Sequence, residues 1–271
     1  MKTRLIVIIA VLSCILMFSG ITYSAVNLQA NGELNGGTGI IGTYHDLSST
    51  GIGASYGATG PSVLGSKDRI CVYCHAPHNA LKTNVAGNPD YLPLWNHTLS
   101  TQATYQVYTH GTATTGDPND IALNGIAFQG ASYGNLQPGG VSRLCLSCHD
   151  GSVAVNTYGA NQQSTTEKPA GGSYTIAARA QIGAGGDLSN HHPIGFLYDG
   201  VQSVDSQIAP SSTVMNNNGL RIKDVLFSGN MECATCHDVH NSKNDRGAEK
   251  FLWKSDAHSA LCLTCHLKGQ L

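Results

Sequence analysis

Cys71-Val72-Tyr73-Cys74-His75-Ala76-Pro77-His78 decides how the whole chain is read. Cysteines at i and i+3, with histidine directly after the second, form the attachment motif of c-type haem. The thiols become thioethers to the porphyrin vinyl groups, and the histidine becomes the proximal iron ligand. The string recurs as Cys145/Cys148/His149, Cys233/Cys236/His237 and Cys262/Cys265/His266. With nine cysteines and twelve histidines in 271 residues, chance supplies about 0.01 such strings. Disulfide pairing and zinc binding leave four occurrences unexplained, because neither needs a histidine after every pair. The expectation is four covalently bound haem c groups.

Eight of the nine cysteines fall in these motifs; the ninth, Cys14, lies in a leader. Lys2 and Arg4 precede a mostly apolar run from Leu5 to Phe18, followed by small and polar residues to Ala25. That is the order of a secretory signal peptide, read here as residues 1–25. The apolar run is shorter than the roughly 20 residues of a membrane span, and it continues past Cys14, which argues against lipoprotein processing. No transmembrane segment is expected after its removal. The exported chain is expected outside the cell or on its outer surface, with the periplasm as the alternative. Removing Lys2 and Arg4 from 15 basic residues leaves 13 against 17 acidic ones. A net negative surface does not suit nucleic acid.

Between the motifs the chain is rich in Gly, Ser, Thr and Asn, and no helical or strand period persists. Thr104 to Tyr108 is β-prone, Ile176 to Gln181 suits a turn or two of helix, and Met215 to Gly219 reads as a polar loop. Cys-His-Ala-Pro-His-Asn (74–79) matches Cys-His-Asp-Val-His-Asn (236–241). Leu94-Trp95 matches Leu252-Trp253, and Leu144 to His149 matches Leu261 to His266. A two-haem unit is therefore used twice, over 26–160 and 161–271, within one continuous domain. The expected fold is mostly irregular, with short helices at the haem sites, little strand, and the porphyrins as its core.

The sixth iron position governs function. Iron held only by the proximal His75, His149, His237 or His266 is open to substrates, whereas a second strong ligand restricts it to electron transfer. Eight further histidines are available. His78 and His240 stand at equivalent places, each three residues past a proximal histidine, and are expected to cross to the partner haem of their own unit. His45 and His192, the latter followed by Pro193, are the expected distal ligands ahead of each unit. His97 and His191 are alternates, while His110 and His258 suit surface or propionate-bonding roles.

The strings His-Asp-Leu-Ser (45–48), C-x-x-C-H-x-P-H (71–78), Pro-Leu-Trp-Asn (93–96), Cys-Leu-Ser-Cys-His-Asp-Gly (145–151), His-Pro-Ile-Gly-Phe (192–196) and Leu-Cys-Leu-Thr-Cys-His (261–266) resemble the doubled C-x-x-C-H multihaem cytochromes of metal-reducing bacteria. With four sites the chain is similar to the extracellular tetrahaem cytochromes that polymerise into filaments. The resemblance implies bis-histidine ligation throughout and alternating parallel and T-shaped haem pairs. It also implies donation of an N-terminal histidine, here His45, to a neighbouring subunit. The implied function is long-range extracellular electron transfer rather than catalysis. The implied partners are further copies of the chain joined head to tail, other cytochromes, and acceptors such as metal oxides.

Overall fold

Three of the four haem motifs bend the backbone in the same way. Each makes one helical turn and then lets its histidine leave the helix to bridge a distant strand: His75 to Trp95, His237 to Leu252 and His266 to Ile208. His237 and His266 take extended backbone angles, which is why their helices stop at four residues. In the computed structural model the described residues are 37, 39–48, 70–78, 80–81, 93–108, 137–155, 157–159, 176–245 and 248–267. The leader over 1–25 and His110 lie outside them.

Among the described residues the regular structure is sparse, as the composition implied. The helices are α1 (Gly140–His149), α2 (Tyr198–Val204), α3 (Cys233–Cys236) and α4 (Cys262–Cys265), with short 3-10 turns that include Cys71–Tyr73 and Ala178–Ala180. The strands are β1 (Gln106–Val107), β2 (Asp187–Leu188), β3 (Phe196–Leu197) and β4 (Asn230–Met231). β1 runs parallel to β2, and β3 antiparallel to β4 with Phe196 opposite Met231. The β-prone 104–108 and the helix-prone 176–181 thus each carry one short element. Among the described residues no helix is long and apolar enough to cross a membrane.

The stretch read as a polar loop differs from expectation. Met215 is 1% exposed and belongs to the largest apolar cluster, with Phe196, Tyr198, Val201, Ala209, Ile222, Val225 and Met231. Asn217 and Asn218 turn outward, while the buried Asn216 folds the chain back by bonding the carbonyls of Lys243 and Trp253. Apolar residues spaced through a polar stretch have converged without a period to announce them. This protein core carries the fourth motif, since Ala209 N–H bonds the Cys265 carbonyl and Leu267 N–H the Gln207 carbonyl, both at 2.8 Å.

The repeat units are interleaved. α1, carrying the second motif, packs on α3, carrying the third. Glu232 joins them by accepting Gly139 N–H at 3.1 Å and the Ser142 hydroxyl, while Ser142 accepts Cys233 N–H at 2.9 Å. The Cys145 thiol bonds the Val141 carbonyl of its own helix at 3.4 Å and lies close to Cys233 across this junction. Gly195 locks the loop after His192: its φ is +80°, and a Cβ there would collide with the Gln137 backbone.

Candidate haem-binding site

The proximal histidines are oriented from behind. His75 Nδ1 lies 2.5 Å from the Pro93 carbonyl, His149 Nδ1 2.9 Å from that of Ala180, and His237 Nδ1 2.8 Å from that of Lys250. A carbonyl only accepts, so Nδ1 carries the hydrogen and Nε2 keeps a lone pair. This backing fixes the tautomer and direction of a metal-ligating imidazole. His192 is held likewise by the Pro193 carbonyl at 2.8 Å.

The structure corrects the register of the repeat by one residue. The Cys74 carbonyl accepts Asn96 N–H, and the Cys236 carbonyl accepts Trp253 N–H; Ala76 N–H bonds Leu94 O, and Asp238 N–H bonds Phe251 O. Leu94 therefore corresponds to Phe251, both left-handed at φ 54° and 60°. Trp95 corresponds to Leu252 rather than Trp253. The Asn96 amide bonds the Val72 carbonyl just as the Trp253 indole bonds that of Ala234. What repeats is a backbone frame that offers a carbonyl to Nδ1, and the Leu-Trp string is offset from it by one residue.

Three histidine pairs lie close together, one with planes 22° apart and two inclined at 56° and 66°. Ring centroids are 6.1 Å apart for His75 and His240, 6.1 Å for His45 and His149, and 6.2 Å for His192 and His266. Metal–imidazole bonds of about 2 Å on both sides of one iron need centroids roughly 6 Å apart. The residues present fit haem. Trp95 adds to this, since its indole N–H beside His75 is buried without an acceptor, which a haem carboxylate would supply.

His45 is placed by its surroundings. The Asp46 carboxylate accepts Gly42 N–H at 2.8 Å and Ser48 N–H at 3.2 Å, closing the turn that presents the ring. Gly39 and Asn241 exchange two hydrogen bonds, and the His45 ring stacks on Phe251 at 4.5 Å. Burial, then the nearby His149, pulls His45 down to about 4, with smaller contributions from His237 and His240. It is neutral at pH 7, the form a metal ligand needs. His237 is lowered too, chiefly by burial.

The partners differ from those expected within each unit. His240 faces His75 of the other unit, and the partner of His266 is His192. His78 is exposed and makes no ring contact among the described residues. Of the alternates, His97 is 1% exposed with Nδ1 2.7 Å from the Thr98 carbonyl and Nε2 3.0 Å from that of Ala154 and 3.4 Å from the Cys148 thiol, and its neutral ring can donate to one of the two carbonyls. His191 lies beside the Asp187 carboxylate. His258 is exposed in a 3-10 turn at φ 53°.

All eight motif cysteines are free thiols. On a bound haem their S–H groups would add across the vinyl groups to form the thioethers. Paired thiols, a backed histidine and a second histidine at iron-spanning distance define a c-type cytochrome. Residues 227–270, spanning the Cys233 and Cys262 motifs, match the family model described as the doubled CXXCH motif, which supports a multihaem c-type cytochrome with covalently bound haem c. No curated protein and no solved structure matches it.

Proposed function

We propose that this chain is an exported tetrahaem cytochrome that carries electrons over long distances outside the cell. Head-to-tail association would extend its haem chain from one copy to the next. The observation that carries the electron-transfer reading is the set of histidine pairs at 6.1–6.2 Å. Iron between two imidazoles has no position for a substrate, so the haem supplies one-electron chemistry only. The protein's own groups hold the rings and fix their tautomers. The bearer of the four motifs follows an export leader, and its motif strings resemble those of filament-forming tetrahaem cytochromes. A non-closing head-to-tail contact yields a filament. The expected partners are further copies, other cytochromes and acceptors such as metal oxides.

A monomeric carrier, periplasmic or surface-bound, is favoured by one specific observation. His45 sits against His149 of its own chain, so the N-terminal histidine is already engaged in cis. Electron microscopy and light scattering of the secreted protein separate the two readings: filaments support the conduit, and a sharp monomer peak at high concentration sinks it. Electron paramagnetic resonance tests the shared core, for which low-spin ferric haem is expected at four per chain. Substantial high-spin signal would point to an open, enzymatic haem instead.

A further inference from the structure

We propose that the two C-x-x-C-H-x-x-H motifs exchange their second histidines. His240 is the distal ligand of the haem attached beside His75, and His78 is the distal ligand of the haem attached beside His237. The proposal rests on the bis-histidine, four-haem reading above and names which ring serves which iron.

The first half of the exchange rests on a ring contact. His75 and His240 ring centroids lie 6.1 Å apart with their planes within 22° of parallel. Pro93 holds Nδ1 of His75, which leaves Nε2 for iron. His240 is delivered by the Asp238 carboxylate, which accepts the His240 N–H at 3.0 Å and also the N–H groups of Ser242 and Lys243. Two other proximal histidines are matched elsewhere, His149 with His45 and His266 with His192.

The second half follows from the repeat. His237 is the one proximal histidine with no ring partner among the described residues, yet its Nδ1 is held by Lys250 as that of His75 is by Pro93. The backbone frames of the two motifs superpose bond for bond: Cys74 with Asn96 against Cys236 with Trp253, and Ala76 with Leu94 against Asp238 with Phe251. When one member of such a pair gives its second histidine to the other, reciprocity assigns His78 to His237. Of the four expected distal ligands, His45, His192 and His240 already have proximal ring partners, which leaves His78. The consequence concerns electron flow. His237 and His240, three residues apart, bind different irons, so the first and third haems form the tightly coupled pair across the two units.

The test is quantitative electron paramagnetic resonance of the intact holoprotein. His240→Ala and His78→Ala should each convert one haem in four from low to high spin. Removing the first haem with Cys71→Ala/Cys74→Ala should abolish the high-spin signal of His240→Ala and leave that of His78→Ala. Removing the third with Cys233→Ala/Cys236→Ala should do the reverse. A His240→Ala signal that survives loss of the first haem overturns the proposal, as does a His78→Ala protein that stays fully low-spin. Where the haem-deletion chains do not mature, His240→Met and His78→Met should each produce one histidine–methionine haem, seen as a methionine charge-transfer band and a raised potential for that haem. Absence of that haem in either variant overturns the exchange. Wild-type protein that already holds high-spin haem, or fewer than four haems, would instead refute the reading on which the exchange rests.

Discussion

In the Cys71 motif and the Cys233 motif a carbonyl holds the proximal ring, and a left-handed residue, Leu94 or Phe251, turns the returning strand. The residue after that histidine differs. Asp238 in the third motif is 5% exposed, and its carboxylate gathers His240 N–H, Ser242 N–H, the Ser242 hydroxyl and Lys243 N–H. The first motif has Ala76 there, and both second histidines, His78 and His240, are exposed. A short acidic side chain that captures the following amides is a local alternative to regular structure. One carboxylate thus holds the backbone of His240, where the first motif has no such acceptor, on otherwise matching frames.

The strongest way to break the contrast is Asp238→Ala, which gives the third motif the residue of the first. Four accepted hydrogen bonds at about 1 kcal/mol each put the loss at roughly 3–4 kcal/mol. The expected readout is a lower guanidinium midpoint together with high-spin haem from a loosened His240. Ala76→Asp is the converse, and should slow amide exchange at His78. Unchanged exchange there would show that the carboxylate is not what fixes the second histidine.

Glu232 sharpens the contrast from the other side. The residue before the first motif is Ile70, which offers no side-chain cap, whereas Glu232 before the third binds Gly139 and Ser142 at the start of α1. Burial raises Glu232 from 4.5 to about 7, against the opposing pull of those donors. The folded protein then holds a proton that the unfolded chain has released between these values. Unfolding therefore grows easier as pH rises through that window, by about 2.5 kcal/mol between pH 5 and 8. Glu232→Gln keeps the acceptor and removes the charge, so its guanidinium midpoint should hardly change over the same range. An equally steep pH dependence in that variant would place the titration elsewhere.

The frames also use different side chains for one task. Asn96 is 4% exposed, bonds the Val72 carbonyl at 2.5 Å and accepts Gly159 N–H at 3.1 Å. Trp253 reaches the Ala234 carbonyl at 3.0 Å. Asn96→Leu breaks two bonds and should cost about 2 kcal/mol, while Trp253→Phe breaks one and should cost about 1 kcal/mol. Chemical denaturation ranks them, and the reverse order would mean that packing outweighs hydrogen bonding at Trp253.

The attachment chemistry was legible in the sequence because it is written in contiguous residues whose spacing is covalent. The sparse regular structure was legible too, from polar composition without period. The core around Met215 was not, because its members are scattered from Phe196 to Met231 and meet only through turns. The facing of His240 toward His75 was hidden for a related reason: a distal ligand is chosen by tertiary approach, and sequence proximity favoured a partner within the unit. The offset between Trp95 and Trp253 arose because identical residues were aligned where the backbone frame, set by a carbonyl and a left-handed residue, is what recurs.

The left-handed residue itself offers the finest test of that frame. An L side chain in this conformation costs about 1–2 kcal/mol, and glycine avoids it at an entropic cost of about 0.5–1 kcal/mol. Leu94 is 55% exposed, so Leu94→Gly should gain about 0.5 kcal/mol, measurable as a small rise in denaturation midpoint. Phe251→Gly relieves the same strain but removes the ring stacked on His45 at 4.5 Å. An aromatic contact of about 0.5–1.5 kcal/mol cancels the gain, and the low-spin signal of the haem facing His45 should broaden as its ring loses support. If both substitutions stabilise alike and leave the spectrum unchanged, Phe251 is only a turn residue. If they diverge, the third motif has turned a backbone necessity into a clamp on a neighbouring haem ligand, which the exposed Leu94 has not.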